Sequence, residues 1–300
     1  AAAFPEAFWS PLEEARVHRH HRRLAWLVGR SIEWREATDR AGLAAARRSG
    51  DAVAIGLALK DLGSTYVDGG RYAEADAVFE EALAGDLPRN IRTIVLAERA
   101  INELERGDGD LELARRRFGD LARMENPGSV RQGRALLNLA ELEFATGDFE
   151  AARVSGREAK EILQRVQGAP LVLLACNRAA YEMAVDSFED ARACLGEALA
   201  HSHDAGQLWT LTVLEHHAVL SGLCGDVERA SMLLGYTDAQ LRAAGGTRKR
   251  TERYGYERIL AILTADDGSA DFRRRSLVGA HLTLEQALSL AAEMHARDAS

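Results

Sequence analysis

Apolar residues recur along this chain every three or four positions. That is the period of one face of an α-helix, and no sustained stretch alternates with the period of two that a half-buried strand needs. The pattern predicts helix pairs over residues 12–49, 51–85, 90–125, 129–166, 170–203 and 206–244. Three further helices are predicted over 250–265, 269–278 and 283–297, the last opened by Thr283-Leu-Glu-Gln286, a capping box. Glycine and aspartate punctuate the pattern. At Gly147-Asp148 and Gly225-Asp226 the glycine suits a left-handed helix end, and the aspartate suits the cap of the next helix.

The helices repeat. An apolar or aromatic residue stands three positions before an alanine at Trp34/Ala37, Tyr72/Ala75, Leu111/Ala114, Phe149/Ala152, Phe188/Ala191 and Val227/Ala230, so the alanines step by 38 or 39 residues. Upstream lies a second column of small residues: Ala25, Gly63, Ala100, Ala140, Ala179 and Ala218. The spacing to the alanine is twelve, except for fourteen in the third repeat, where the doubled Gly107-Asp108-Gly109-Asp110 supplies the extra two. Small residues at two fixed places let paired helices approach closely, and such pairs bury their apolar faces by stacking.

The series Leu62-Gly63, Tyr66, Tyr72, Ala75, Phe79, Ala82 resembles the tetratricopeptide-repeat (TPR) signature, with a period longer than that family's. The resemblance implies an all-α fold: a right-handed α-solenoid of about six TPR-like helix pairs over 1–244, continued by capping helices over 245–300. A narrower likeness lies in the tail. Gly225-Asp226-Val-Glu-Arg-Ala230-Ser-Met-Leu-Leu-Gly235, Leu241-Arg242-Ala-Ala-Gly245, Glu252-Arg-Tyr254, Tyr256-Glu257-Arg258 and Leu282-Thr-Leu-Glu-Gln-Ala287-Leu288 resemble the C-terminal repeat domain of bacterial MalT-like/NB-ARC (STAND) ATPase transcriptional regulators. That resemblance implies a signal-transduction role: a regulatory arm that binds an effector or partner, or holds the NTPase domain of the same parent chain inactive. The chain opens on Ala1-Ala2-Ala3 and not on Met, which suits a piece of a longer protein or a processed start. The alternatives are a stand-alone adaptor for a peptide or protein, and a solenoid that binds a small-molecule effector.

In the TPR family the first helix of each pair lines the concave face. The residue two before each small one is polar throughout: Arg23, Asp61, Glu98, Asn138, Asn177 and His216. The residue one after it is Trp26, Ser64, Ile101, Glu141, Ala180 or Val219. A polar stripe in a concavity would orient a ligand or an extended peptide; the alternative is a solvated helix face. Lys60, Arg134 and Asn138 fall where some TPR proteins clamp a peptide carboxylate. Glu98 among them, and Ser64 where the clamp uses Asn, speak against a true clamp.

Composition narrows the chemistry. The 300 residues carry a net charge of −8, with 47% hydrophobic and 28% charged residues. An acidic balance disfavours direct nucleic-acid binding, which needs coherent Lys/Arg patches. The basic runs Arg248-Lys249-Arg250 and Arg273-Arg274-Arg275 could meet an acidic partner surface. Cys176, Cys194 and Cys224 form no CxxC and read as small buried hydrophobes in a reducing, cytoplasmic setting. No apolar run is long enough to span a membrane, and the first ten residues lack the basic and apolar regions of a signal peptide. The histidines at 18, 20, 21, 201, 203, 216 and 217 lack the ligand spacing of a metal site. No phosphate-cradling G-x-x-x-x-G-K-[ST], HExxH or Ser-His-Asp elbow occurs, so the chain reads as a non-enzyme without cofactor.

Overall fold

Several helices begin where a short polar side chain accepts from a free backbone N–H, and several end where glycine turns. In the computed structural model Ser31, Asp51, Ser129 and Asp148 each cap the helix that follows, accepting from the N–H three residues on. Gly50, Gly147 and Gly225 carry φ of 68°, 83° and 86°, the left-handed region that costs glycine least. Thr283 and Gln286 exchange side-chain-to-backbone bonds of 2.8 and 3.2 Å, so the expected capping box forms.

The structure describes residues 9–106, 111–165, 169–205, 207–265 and 268–296. Among these it is all-helical, with fifteen helices: α1 Pro11–Leu27, α2 Ile32–Ser49, α3 Ala52–Asp68, α4 Tyr72–Ala84, α5 Arg89–Arg106, α6 Leu111–Met124, α7 Val130–Ala145, α8 Phe149–Leu163, α9 Ala169–Ala184, α10 Phe188–Ala205, α11 Gln207–Leu223, α12 Val227–Ala244, α13 Arg250–Leu263, α14 Gly268–Gly279 and α15 Leu284–Ala296. The Gly107–Asp110 insertion lies outside the described residues. No described helix is long and apolar enough to cross a membrane.

The chain divides into two units. Residues 1–110 with 245–247 form the first, and 111–244 with 248–300 the second. In the first, α1 packs on α2, α2 on α3, α3 on α4 and α4 on α5. Its core gathers Leu59, Leu62, Tyr66, Ala75, Phe79 and Val95. Gly63 has no room for a Cβ, because the Phe79 ring fills the space. In the second unit α7 packs on α8, α9 on α10, α11 on α12 and α12 on α14. Its largest core cluster includes Leu195, Leu214, Leu220, Leu233, Ile259, Ala287 and Ala291.

Ala75, Ala114, Ala152, Ala191 and Ala230 are all wholly buried, as are Ala100, Ala140, Ala179 and Ala218 of the other small column. The first pair departs from this register. Ser31 caps α2, so the helix opens on Ile32, and Ile32, Arg35, Asp39, Leu43 and Ala46 are buried. Trp34 and Ala37 are exposed, so aligning that pair on them places the register two residues late. Arg35 occupies the seat that alanine takes elsewhere, and its Nη1 donates to Asp68 Oδ2 at 2.8 Å.

One further expectation is corrected. Cys176 and Cys194 are buried, but Cys224 is exposed, since it falls in the turn after α11. Members of both basic runs also pair within the chain, while Arg273 and Arg274 stay exposed. Arg248 bonds Glu215 at 2.7 Å, pairs with Asp238 and stacks over Tyr256, while Arg274 and Arg275 both pair with Asp271.

Candidate functional site

In the first unit α1, α2 and α3 pack on one another around a cleft of about 390 Å³. One wall is apolar, from Leu12 and Ala15 on α1 and Val53, Ala54, Leu57 and Ala58 on α3. Gly42 of α2 belongs to the lining, and a Cβ there would come within 3.0 Å of His18 Cβ, so the glycine lets the two helices close at the cleft. The lining also carries the polar and charged residues Arg16, His18, Arg19, Thr38, Asp39, Asp51 and Asp61, of which Arg19, Asp39 and Asp61 are interlinked.

Those three belong to a partly buried charge network. Arg22 Nε donates to Asp39 Oδ2 at 3.2 Å and its Nη1 approaches Asp61 Oδ1 at 3.7 Å. Arg19 Nε contacts Asp61 Oδ2 at 3.1 Å, and Lys60 Nζ contacts Asp61 Oδ1 at 2.5 Å. Thr65 Oγ1 donates to Asp39 Oδ2 at 2.7 Å. Lys60 also lies 4.0 Å from Glu98, which accepts a 2.8 Å bond from Ser64 Oγ.

The two aspartates differ electrostatically. Burial works against charge at both. At Asp61 the cations Lys60, Arg22 and Arg19 outweigh burial and hold the carboxyl below its usual range. At Asp39 burial wins over Arg22 and the Thr65 bond, and the carboxyl is pushed up. Arg22 is itself held more basic: burial disfavours its charge, but Asp61 and Asp39 outweigh that.

Four expected site residues, Lys60, Asp61, Ser64 and Glu98, therefore meet in this unit, as a cross-braced network in which Asp61 is buried. Arg23 is exposed on α1, and the Trp26 side chain lies outside the described residues. In the second unit Asn177 is buried and donates to Glu141 Oε1 at 2.5 Å, Asn138 is half-buried and Arg134 is exposed. Lys60, the third residue of the clamp pattern, belongs to the first unit and is spent on Asp61.

His216 is buried in the second unit. Its Nδ1 lies 2.8 Å from the Thr212 carbonyl oxygen, and burial lowers its basicity. It lines a cavity of about 10 Å³, room for roughly one water, with Glu215, Glu252 and Arg258.

Arg19, Arg22 and Asp39 do not belong to the column that the repeat singled out. The signal for Asp39 was the spacing Ile32, Arg35, Asp39, Leu43, Ala46, one continuous helix face that a register set on Trp34 turns outward.

Among the described residues the fold is all-helical, with its helices packed in succession. No family model matches the chain, and no curated protein matches it. Among solved structures it is similar to the crystal structure of BtubC (BKLC) from P. vanneervenii, with a TM-score of 0.52 at 18% sequence identity, over 73% of this chain and 94% of that one. At that identity the likeness concerns the fold alone.

Proposed function

We propose that this chain is a non-catalytic sensor and interaction module, built as a right-handed solenoid of TPR-like helix pairs, whose ligand site is the α1–α2–α3 cleft. The observation that carries the reading is the cleft itself. Its volume of about 390 Å³ suits a small ligand or the end of a peptide, and an apolar wall facing a few fixed charges is what oriented binding needs. The tail motifs from Gly225 to Leu288 support the further reading that the module is the regulatory arm of a cytoplasmic, multidomain bacterial transcriptional regulator.

A thermal-shift screen of the full chain against a metabolite panel tests the site. A ligand at 100 times its Kd adds about 2.7 kcal/mol of stability. Ala54→Phe, which fills the apolar end, is expected to abolish the shift while leaving the helical circular dichroism intact. A ligand that stabilises both proteins equally places the site elsewhere. An immunoblot of source cells tests the arm: a single band near 32.7 kDa overturns it in favour of a stand-alone adaptor.

A further inference from the structure

The geometry points to a small amphiphilic amine as the ligand of the α1–α2–α3 cleft: a protonated primary amine carrying a short aliphatic tail. This inference rests on the cleft being the binding site and adds the chemistry of what it takes.

The cleft combines an apolar stretch with charged side chains. Its lining runs from Leu12 to Arg19 on α1, Arg16 and His18 included, and from Asp51, the cap of α3, to Asp61. Eight to eleven residues of helix span about 10–15 Å. The apolar stretch is Leu12, Ala15, Val53, Ala54, Leu57 and Ala58. A tail of four to six carbons, roughly 5–8 Å at the spacing of a saturated chain, lies along that stretch, and each buried methylene is worth about 0.8 kcal/mol.

The head group is selected by Asp39. Its side chain is 2% exposed and it lines the cleft, while the bonds from Arg22 Nε and Thr65 Oγ1 both fall on Oδ2. Oδ1 is the oxygen left for a donor in the cleft. Charge points the same way. Asp61 has three cations within 4.0 Å, whereas Asp39 has Arg22, which it shares with Asp61. Asp51, the third carboxylate of the lining, is engaged in capping α3. Burial without full charge compensation leaves Asp39 as the group that gains most from a further positive charge, and an ammonium supplies it with hydrogen-bond donors. The lining also carries Arg16, His18 and Arg19, but Arg19 is engaged by Asp61, so an anionic head group beside Asp39 would meet two carboxylates.

The test is calorimetric titration of the full chain with n-propylamine, n-butylamine and n-pentylamine hydrochlorides, and with sodium pentanoate, at one ionic strength. The amines are expected to bind with affinity rising about fourfold per methylene, and pentanoate at least tenfold more weakly than pentylamine. Asp39→Asn is expected to weaken pentylamine at least tenfold. Because that variant also disturbs a buried ion pair, Ala54→Phe provides an independent arm: it keeps Asp39 and is expected to erase the dependence on tail length. Pentanoate binding as tightly as pentylamine, or amine affinity unchanged in both variants, overturns the proposal. A non-cationic ligand that Ala54→Phe displaces leaves the cleft as the site and overturns only the amine.

Discussion

Gly235 of α12 lies so close to Ser276 of α14 that a Cβ on it would overlap the Ser276 carbonyl oxygen. The crossing is reciprocal: a Cβ on Gly279 of α14 would overlap the carbonyl oxygen of Met232 in α12. Two backbones touch there, and neither can give as a side chain does. Helix propensity alone favours alanine over glycine by about 1 kcal/mol. Gly235→Ala is nevertheless expected to destabilise the protein by roughly 1–3 kcal/mol, because overpacking forces the helices apart. Gly196→Ala in α10, where the nearest atom to a new Cβ is His295 Cε1 at 3.5 Å, is expected to be neutral or stabilising. Urea unfolding of the two variants checks the contrast.

Ala152 and Ala191 have no exposed surface. They open α8 and α10 against α7 and α9. Ala152→Leu or Ala191→Leu is expected to cost about 1–3 kcal/mol. Ala37→Leu, on the exposed face of α2, is expected to change stability by less than about 0.5 kcal/mol. Equal effects at the three positions, measured by thermal melting, would break the corrected register of α2.

Arg22 holds together two buried aspartates. Arg22→Met removes their shared cation but keeps most of the apolar stem. Removing one partner of a buried pair leaves uncompensated charge, and the expected loss is roughly 3–5 kcal/mol. Asp39 should then titrate higher still, a change that carboxyl chemical shifts read directly.

Glu215 is buried beside Arg248, and burial pushes its carboxyl from the ordinary 4.5 up to about 8 despite that guanidinium. A carboxyl raised in the folded state binds its proton more tightly there than in the unfolded chain. Its contribution is complete below pH 4.5 and is lost as pH rises toward 8. Glu215→Gln is expected to remove that slope from a plot of stability against pH between 5 and 8. A slope identical to that of the parent would assign it to another group.

His217 behaves oppositely. It is wholly buried, its Nδ1 lies 2.8 Å from the Val213 carbonyl oxygen and its Nε2 lies 3.1 Å from His295 Nε2. Burial lowers its pKa from 6.5 to about 3, with His295, His216 and Arg229 adding to the effect and the Val213 contact opposing it. A base that resists protonation only when folded stabilises fully above pH 6.5 and loses stability as pH falls below it. His217→Gln is expected to flatten the fall between pH 6.5 and 5, checked by urea midpoints across that range.

The helices were legible in the residues alone, because helix formation is local. Periodicity, the Ser and Asp caps and the Gly turns act within a few residues, and the boundaries drawn from them fall close to the observed ones. The small columns from Gly63 and Ala75 onward were legible for the same reason, since close packing leaves its mark at a fixed spacing. Tertiary structure decided what the polar residues do. Asp61 and Glu98 share one column in the sequence, but Arg19 and Arg22 reach Asp61, and Ser64 reaches Glu98, only through the packing of helices tens of residues apart. Asp39 entered the cleft only because α2 begins at Ile32, two residues before the aromatic that the repeat favoured. A two-residue shift turns a helix by about 200°. An error too small to disturb a helix boundary therefore reverses which side chains face a ligand.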